Sequence, residues 1–125
     1  MTTDVGVLLD AVRLSMSVEE ARARVAAHNI AMANVPGSRS MRLELGDAMQ
    51  ALQLAHGDAS AFKQALHTLQ AMDLSAQVMP RRDAAPVALD SEVADLSAAS
   101  GRYQALADSV SRQFALMQLA MRGGR

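Results

Sequence analysis

The sequence predicts a mainly all-α protein: two long amphipathic helices, one at each end of the chain, packing as a coiled-coil-like pair around a short variable middle region. Three observations predict it. Apolar residues recur at alternating four- and three-residue steps through the last third of the chain. A second helical pattern fills the first quarter and stops at one strong Pro-Gly break. Half of the residues are hydrophobic, yet aromatics make up only 2% (Phe62, Tyr103 and Phe114), so Ala, Leu, Val and Met must fill whatever core exists. Small, helix-favouring side chains suit close helix–helix contact better than a β-sandwich.

Residues 4–33 are expected to form the first helix. Thr3 or Asp4 can cap it, and Leu9, Val12, Met16, Ala23, Ala26 and Ile30 recur at helical spacing. Glu20 and Arg24 are spaced for a surface i,i+4 pair. Ser17-Val18-Glu19-Glu20 has the form of a capping box, but no Gly or Pro supports a restart there, so one continuous helix is expected. It must end at Asn34-Val35-Pro36-Gly37-Ser38, because proline disfavours helical geometry in the residue before it and Gly37 permits positive φ. Asn29 and Asn34 either hold the helix end and the turn by local side-chain bonds or simply mark a C-terminal stop.

The middle region, residues 41–88, is less regular. Leu45, Met49, Leu52 and Ala55 share a helical face over 41–56; His56-Gly57-Asp58 reads as a stop followed by a cap; Phe62, Leu66, Leu69 and Met72 continue over 59–72. From Leu74 to Leu89 the pattern dissolves, and Pro80, Arg81, Arg82 and Pro86 read as an extended linker.

The last segment, residues 89–125, carries the clearest signal. Leu89, Val93, Leu96, Ser100, Tyr103, Ala107, Val110, Phe114, Met117 and Met121 keep a 3.5-residue repeat, the seam of a coiled coil. Asp90 or Ser91 can cap its start, Asp108 and Arg112 are spaced as a pair, and Gly123-Gly124 ends it. At 1.5 Å per residue each terminal helix is roughly 45 Å long. A helix of that length needs another long helix, from its own chain or a neighbour, to cover its stripe. Phe114 is the expected anchor of that surface, with Leu9, Val12, Met16, Ile30, Leu96, Tyr103, Val110, Met117 and Met121 as its other interface residues.

Several function classes find little support. Twelve basic and thirteen acidic residues leave a net charge of −1, with no basic excess for a phosphate backbone. There is no cysteine, which removes disulfides, thiolate zinc sites and cysteine nucleophiles. Residues 1–16 lack the basic start and uninterrupted apolar run of a secretory signal, and no stretch reaches the roughly 18 apolar residues of a membrane span. His28, His56 and His67 are scattered without metal-ligand spacing. Glu19 and Glu20 are adjacent and point about 100° apart on a helix, so they cannot face each other as an acid/base pair. No phosphate-loop, dinucleotide or nucleophile-elbow motif is present. No catalytic, cofactor-binding or metal residue is assigned, and the expectation is a protein that is not an enzyme.

Two segments carry a family resemblance. Ala27-His28-Asn29-Ile30-Ala31-Met32-Ala33-Asn34-Val35-Pro36-Gly37 resembles the N-terminal signature of flagellar axial proteins, in which a helix ending in Asn-Ile-Ala-Asn-Ala runs into a Pro-Gly turn. Gly101-Arg102-Tyr103-Gln104-Ala105-Leu106, followed by Ser111-Arg112-Gln113-Phe114-Ala115-Leu116, resembles the C-terminal helix of the FlgB family of proximal rod proteins. With their flanks these segments cover about half of the chain. The sequence departs from the family at Met32, Asn34, Val35 and Ser38, where Asn, Asp, Thr and Tyr are usual, and residues 41–88 match poorly.

The resemblance implies a structural subunit of the bacterial flagellar basal-body rod in the periplasm, exported without a cleaved signal peptide by the flagellar type III export apparatus. Its implied partners are other copies of itself, other flagellar rod subunits and the basal-body adaptor FliE, with no cofactor, no nucleic acid and no membrane span. Two long amphipathic helices that meet copies of themselves through a heterologous, non-closing contact form an open filament. The competing expectation is a soluble helical adaptor or export chaperone that binds a partner helix in a methionine-lined groove.

Overall fold

The computed structural model describes residues 2–83 and 85–124, with only the backbone of residues 2–4. Its elements run α1 (Thr2–Met32), β1 (Met41–Leu43), α2 (Gly46–Leu54), α3 (Ala59–Ala71), a 3₁₀ turn (Leu74–Gln77), β2 (Val78–Pro80) and α4 (Leu89–Gly123). The long N-terminal helix packs against the long C-terminal helix, and the middle region between them is short. The two run antiparallel. Glu19 meets Arg102, while Asn29, further along α1, is linked through Ser40 to Glu92, earlier in α4.

α1 is continuous through the possible restart. The Ser17 hydroxyl donates to the Arg13 carbonyl at 3.1 Å and so is not a cap. The helix begins at Thr2, which puts Thr3 and Asp4 inside its first turn; their side chains lie outside the described residues. It ends at Met32, and Gly37 has φ of 78°, the left-handed value the Pro-Gly turn requires. At the other end of the molecule, α4 starts one residue before the expected caps. Asp90 and Glu92 lie in its first turn, where acidic groups favour the helix dipole, and the N-cap Ala88 makes no side-chain bond.

The middle region differs from the sequence expectation in two places. Residues 41–43 form a strand instead of the start of a helix. Residues 74–80, expected to be linker, form the 3₁₀ turn and the strand that pairs with it. β1 and β2 are antiparallel, with Met41 opposite Pro80 and Leu43 opposite Val78. Ser40 with Arg81 and Glu44 with Gln77 supply hydrogen bonds at the flanks. Met41 therefore points its N–H and C=O away from β2, and the missing N–H of Pro80 costs no ladder bond. Strands of three residues are too short for alternation to register in a sequence. The expected break at 56–58 is present: Gly57 has φ of 92°, and the Asp58 carboxylate accepts from the Ser60 and Ala61 amides at the start of α3.

The apolar core lies between α1 and the middle region. Leu14 and Val18 of α1 pack with Leu45, Leu66 and Leu69, and Met49, Leu52, Phe62 and Met72 close over them. The row Val7, Ala11, Leu14, Val18 and the row Leu9, Val12, Met16, Ala23, Ala26, Ile30 are separated by about 140° on a helix of 3.6 residues per turn. α1 is thus a shared wall, with the middle region on one face and α4 on another.

Candidate assembly surface

α4 meets α1 through a row one flank away from the predicted seam. Its fully buried residues are Glu92 and Ala99, and Leu96, Leu106, Val110, Gln113 and Met117 are half-buried. Leu96, Val110 and Met117 belong both to this row and to the predicted seam. The rest of the seam divides. Ala107 is half-buried, whereas Ser100 is exposed, as are Leu89 (50%), Val93 (51%), Tyr103 (38%), Phe114 (44%) and Met121 (73%). The cause is side-chain size and polarity. Ala26 on α1 and Ala99 on α4 are both buried and small, which lets the helices approach closely. Glu92 is tied to the hairpin and sets the rotation of α4 about its axis. Phe114 consequently lies at the edge of the intramolecular contact, with part of its ring open to solvent.

The other interface candidates lie where the periodicity puts them. Leu9, Val12, Met16 and Ile30 are half-buried along α1. Val5 and Leu8 are exposed at the N-terminal end of α1, the end nearest the C-terminus of α4, where Leu116 and Leu119 are also open. The open apolar residues of the predicted seam therefore lie on one flank of α4, while Leu116 and Leu119 are exposed on the opposite side of the same helix.

Asn29 corrects the reading of the turn motif. It is 1% exposed and bonds across the chain instead of locally. Its Oδ1 accepts from the Met41 amide at 2.8 Å, and its Nδ2 donates to the Met41 carbonyl at 2.9 Å and to Ser40 Oγ at 3.2 Å. The side-chain amide thus stands in for a neighbouring strand, satisfying the two groups of Met41 that face away from β2. Ser40 Oγ in turn donates to Glu92 Oε1 at 2.9 Å, so one chain of bonds joins α1, the hairpin and α4. Asn34 and Pro36 are exposed, and among the described residues the Asn34 side chain makes no hydrogen bond. Ser38 Oγ is enclosed without a partner.

A second polar contact fixes the helix pair further along. Glu19 is buried, with Arg22 Nη1 at 2.9 Å from Oε1 and Arg102 Nε at 3.0 Å from Oε2; the second contact is an ion pair whose angle misses a hydrogen bond. The sequence carried a sign of this. Position 19 is the step missing between Met16 and Ala23 in the apolar row, so a charged residue faces α4 there. Glu20 and Arg24 pair on the surface as their spacing predicts, whereas Asp108 and Arg112 do not pair. His28, His56 and His67 are exposed on separate parts of the fold, and among the described residues no three His, Asp or Glu side chains converge as a metal site. No described helix is long and apolar enough to cross a membrane.

With the geometry in hand, the comparisons add no relative: no family model matches the chain, and neither a curated protein nor a solved structure is significantly similar to it.

Proposed function

We propose that this chain is a structural subunit that assembles through its terminal helices, of the kind that builds the bacterial flagellar proximal rod, and that it is not an enzyme. The observation that supports this reading is the uncovered flank of α4. Leu89, Val93, Tyr103, Phe114 and Met121 lie open along a single 35-residue helix whose other flank is covered by α1. Contiguous exposed apolar surface marks a contact site. Neighbouring helices laid on this flank would bury it, and repetition of that contact by a screw operation would extend the assembly. The motif Ala27–Gly37 and the segment Gly101–Leu116 add the resemblance to axial proteins, and with it the partners and the periplasmic rod location that the resemblance implies.

A soluble adaptor or export chaperone is the second reading. It is favoured by the apolar core that one chain completes by itself, around Leu14, Leu66 and Leu69. The deciding experiment is deletion of the gene in its bacterium, with electron micrographs of the basal bodies and localisation of a tagged copy restored to the strain. The rod reading expects truncated or absent rods and the tagged protein in purified basal bodies. Intact rods, with the protein recovered in the cytoplasm, would contradict it.

A further inference from the structure

We propose that in the free protein the open flank of α4 is covered by the same flank of a second copy, in an antiparallel two-fold contact centred on Ala107. The inference rests on the reading of that flank as a contact surface, and names what occupies it before assembly. The first observation is where charge is missing. At 100° per residue, Val93, Ser100, Ala107, Phe114 and Met121 form one stripe, with Ser97, Gln104, Ser111 and Gln118 beside it. Between Val93 and Met121 the helix carries four charged residues, Asp95, Arg102, Asp108 and Arg112, and all four lie off this stripe. Loss of charge distinguishes the centre of a protein interface from ordinary surface. Yet Val93, Ser100, Phe114 and Met121 are open to solvent in the single chain.

The order of side-chain sizes along the stripe selects the occupant. Reversed on itself about Ala107, the stripe sets Phe114 of one copy against Ser100 of the other, Tyr103 against Ser111, and Met121 against Val93. Each aromatic ring meets a small residue, and Ala107 meets its own counterpart where the two helices come closest. A parallel pairing would instead stack Phe114 on Phe114 and leave a gap between the two Ser100 side chains. Knobs facing hollows are what a helix seam requires, and a two-fold contact repeats each of these pairs twice. The charges at the ends agree. Asp90 in the first turn and Arg122 in the last are exposed, and neither forms an ion pair with a described residue. They stand at opposite ends of a 35-residue helix and so cannot meet within one chain. The antiparallel contact brings Arg122 of each copy to the first turn of the other copy's α4, beside Asp90. Such a pair is closed. It keeps the flank out of any open-ended contact until a neighbour in the assembly takes the place of the second copy.

The chain has no cysteine, so single cysteines in the full chain report the contact directly. Under mild oxidation Ala107→Cys should give a disulfide-linked dimer, because the residue meets its own counterpart on the two-fold axis, within disulfide reach. Ser109→Cys, exposed on the far side of α4, should stay monomeric. Val93→Cys and Met121→Cys should link to each other when mixed, and much less to themselves. Sedimentation velocity of wild type should show a monomer–dimer equilibrium that stops at two copies. Ala107→Glu places like charges on the axis and should weaken that equilibrium about tenfold or more, with circular dichroism unchanged. A wild type that stays monomeric, or that grows past two copies in an open series, would overturn the two-fold contact. So would equal cross-linking of Ala107→Cys and Ser109→Cys, or a dimer unaffected by Ala107→Glu. None of these outcomes touches the rod reading, which is decided separately on basal bodies.

Discussion

The two faces of α1 hold the molecule together by different means. On one face a 13-residue helix, α3, buries Leu66 and Leu69 against Leu14 and Val18. On the other, the 35-residue α4 fully buries one alanine and one glutamate. The first contact rests on apolar burial, which is non-directional and strong per residue. The second combines close approach at Ala99 and the half-buried row Leu96, Leu106, Val110 and Met117 with the Asn29–Ser40–Glu92 and Glu19–Arg102 links, which are directional and modest in net energy. Length alone does not set the depth of burial: the shorter α3 contributes fully buried leucines to the core, while the longer α4 adds a half-buried row whose register is fixed by polar bonds and leaves apolar side chains open on one flank.

That contrast is most easily broken by the same substitution on both sides. Leu69→Ala removes a side chain that is 1% exposed and should cost about 2–5 kcal/mol in urea unfolding, as buried leucine truncations do. Leu106→Ala, half-buried on the α4 row that meets α1, should cost less, about 1–2 kcal/mol. Comparable losses at both sites would show that α4 is packed as tightly as α3.

The polar link should be the next most costly to cut. Asn29→Ala leaves the amide and carbonyl of Met41 without partners, at about 1–3 kcal/mol for each buried group that finds no water. Hydrogen exchange at the Met41 amide should rise sharply, and protection in the first turns of α4 should fall with it. Unchanged protection in α4 would mean that the hairpin is held by Asn29 while α4 is held by something else.

Much of this arrangement was legible in the sequence, and the failures have identifiable causes. The two terminal helices announced themselves because apolar spacing is averaged over many turns, and one anomalous residue cannot hide it. The Gly57-Asp58 stop and cap were legible because each residue performs a local task. The strands were not, since Met41–Leu43 and Val78–Pro80 are held by pairing across the chain and by the Asn29 side chain. Nor was the phase of α4. Phe114 and Gln113 differ by one position, and an apolar pattern centred on Phe114 could not reveal that Glu92, at the far end of the helix, turns the other flank inward. Asn29 looked like a residue of the turn because it precedes the turn, but its partners come after it.

Smaller effects sharpen the account at the edges. Gly37→Val should destabilise by about 1–2 kcal/mol, the penalty of the left-handed conformation for a residue with a Cβ. Nothing lies within 4 Å of the Cβ position, so the cost is in the backbone alone, and Gly37→Asn should recover most of it in thermal melts. The smallest effect belongs to Asp73, whose carboxyl is held below its ordinary range by the Ser75 hydroxyl and by the Ser75 and Ala76 amides. A depressed folded-state value means that the ionised cap contributes above the ordinary aspartate range and is lost as pH falls through the depressed value. Asp73→Asn should therefore remove a slight acid-side loss of stability; an identical pH profile in both proteins would show the cap to be without consequence.

The most direct measurement of the central claim pairs sedimentation velocity with thermal unfolding of wild type and Phe114→Asp over a range of protein concentration. Phe114 is 44% exposed at the edge of the contact with α1, so the carboxylate should lower the melting temperature less than a charge on the covered row does at low concentration. It should abolish concentration-dependent association, because a neighbouring helix would have to desolvate an unpaired charge. Val110→Asp, on the covered row, should instead unfold the helix pair in the monomer. If Phe114→Asp associates as wild type does, or melts as early as Val110→Asp, the open flank of α4 is not an assembly surface.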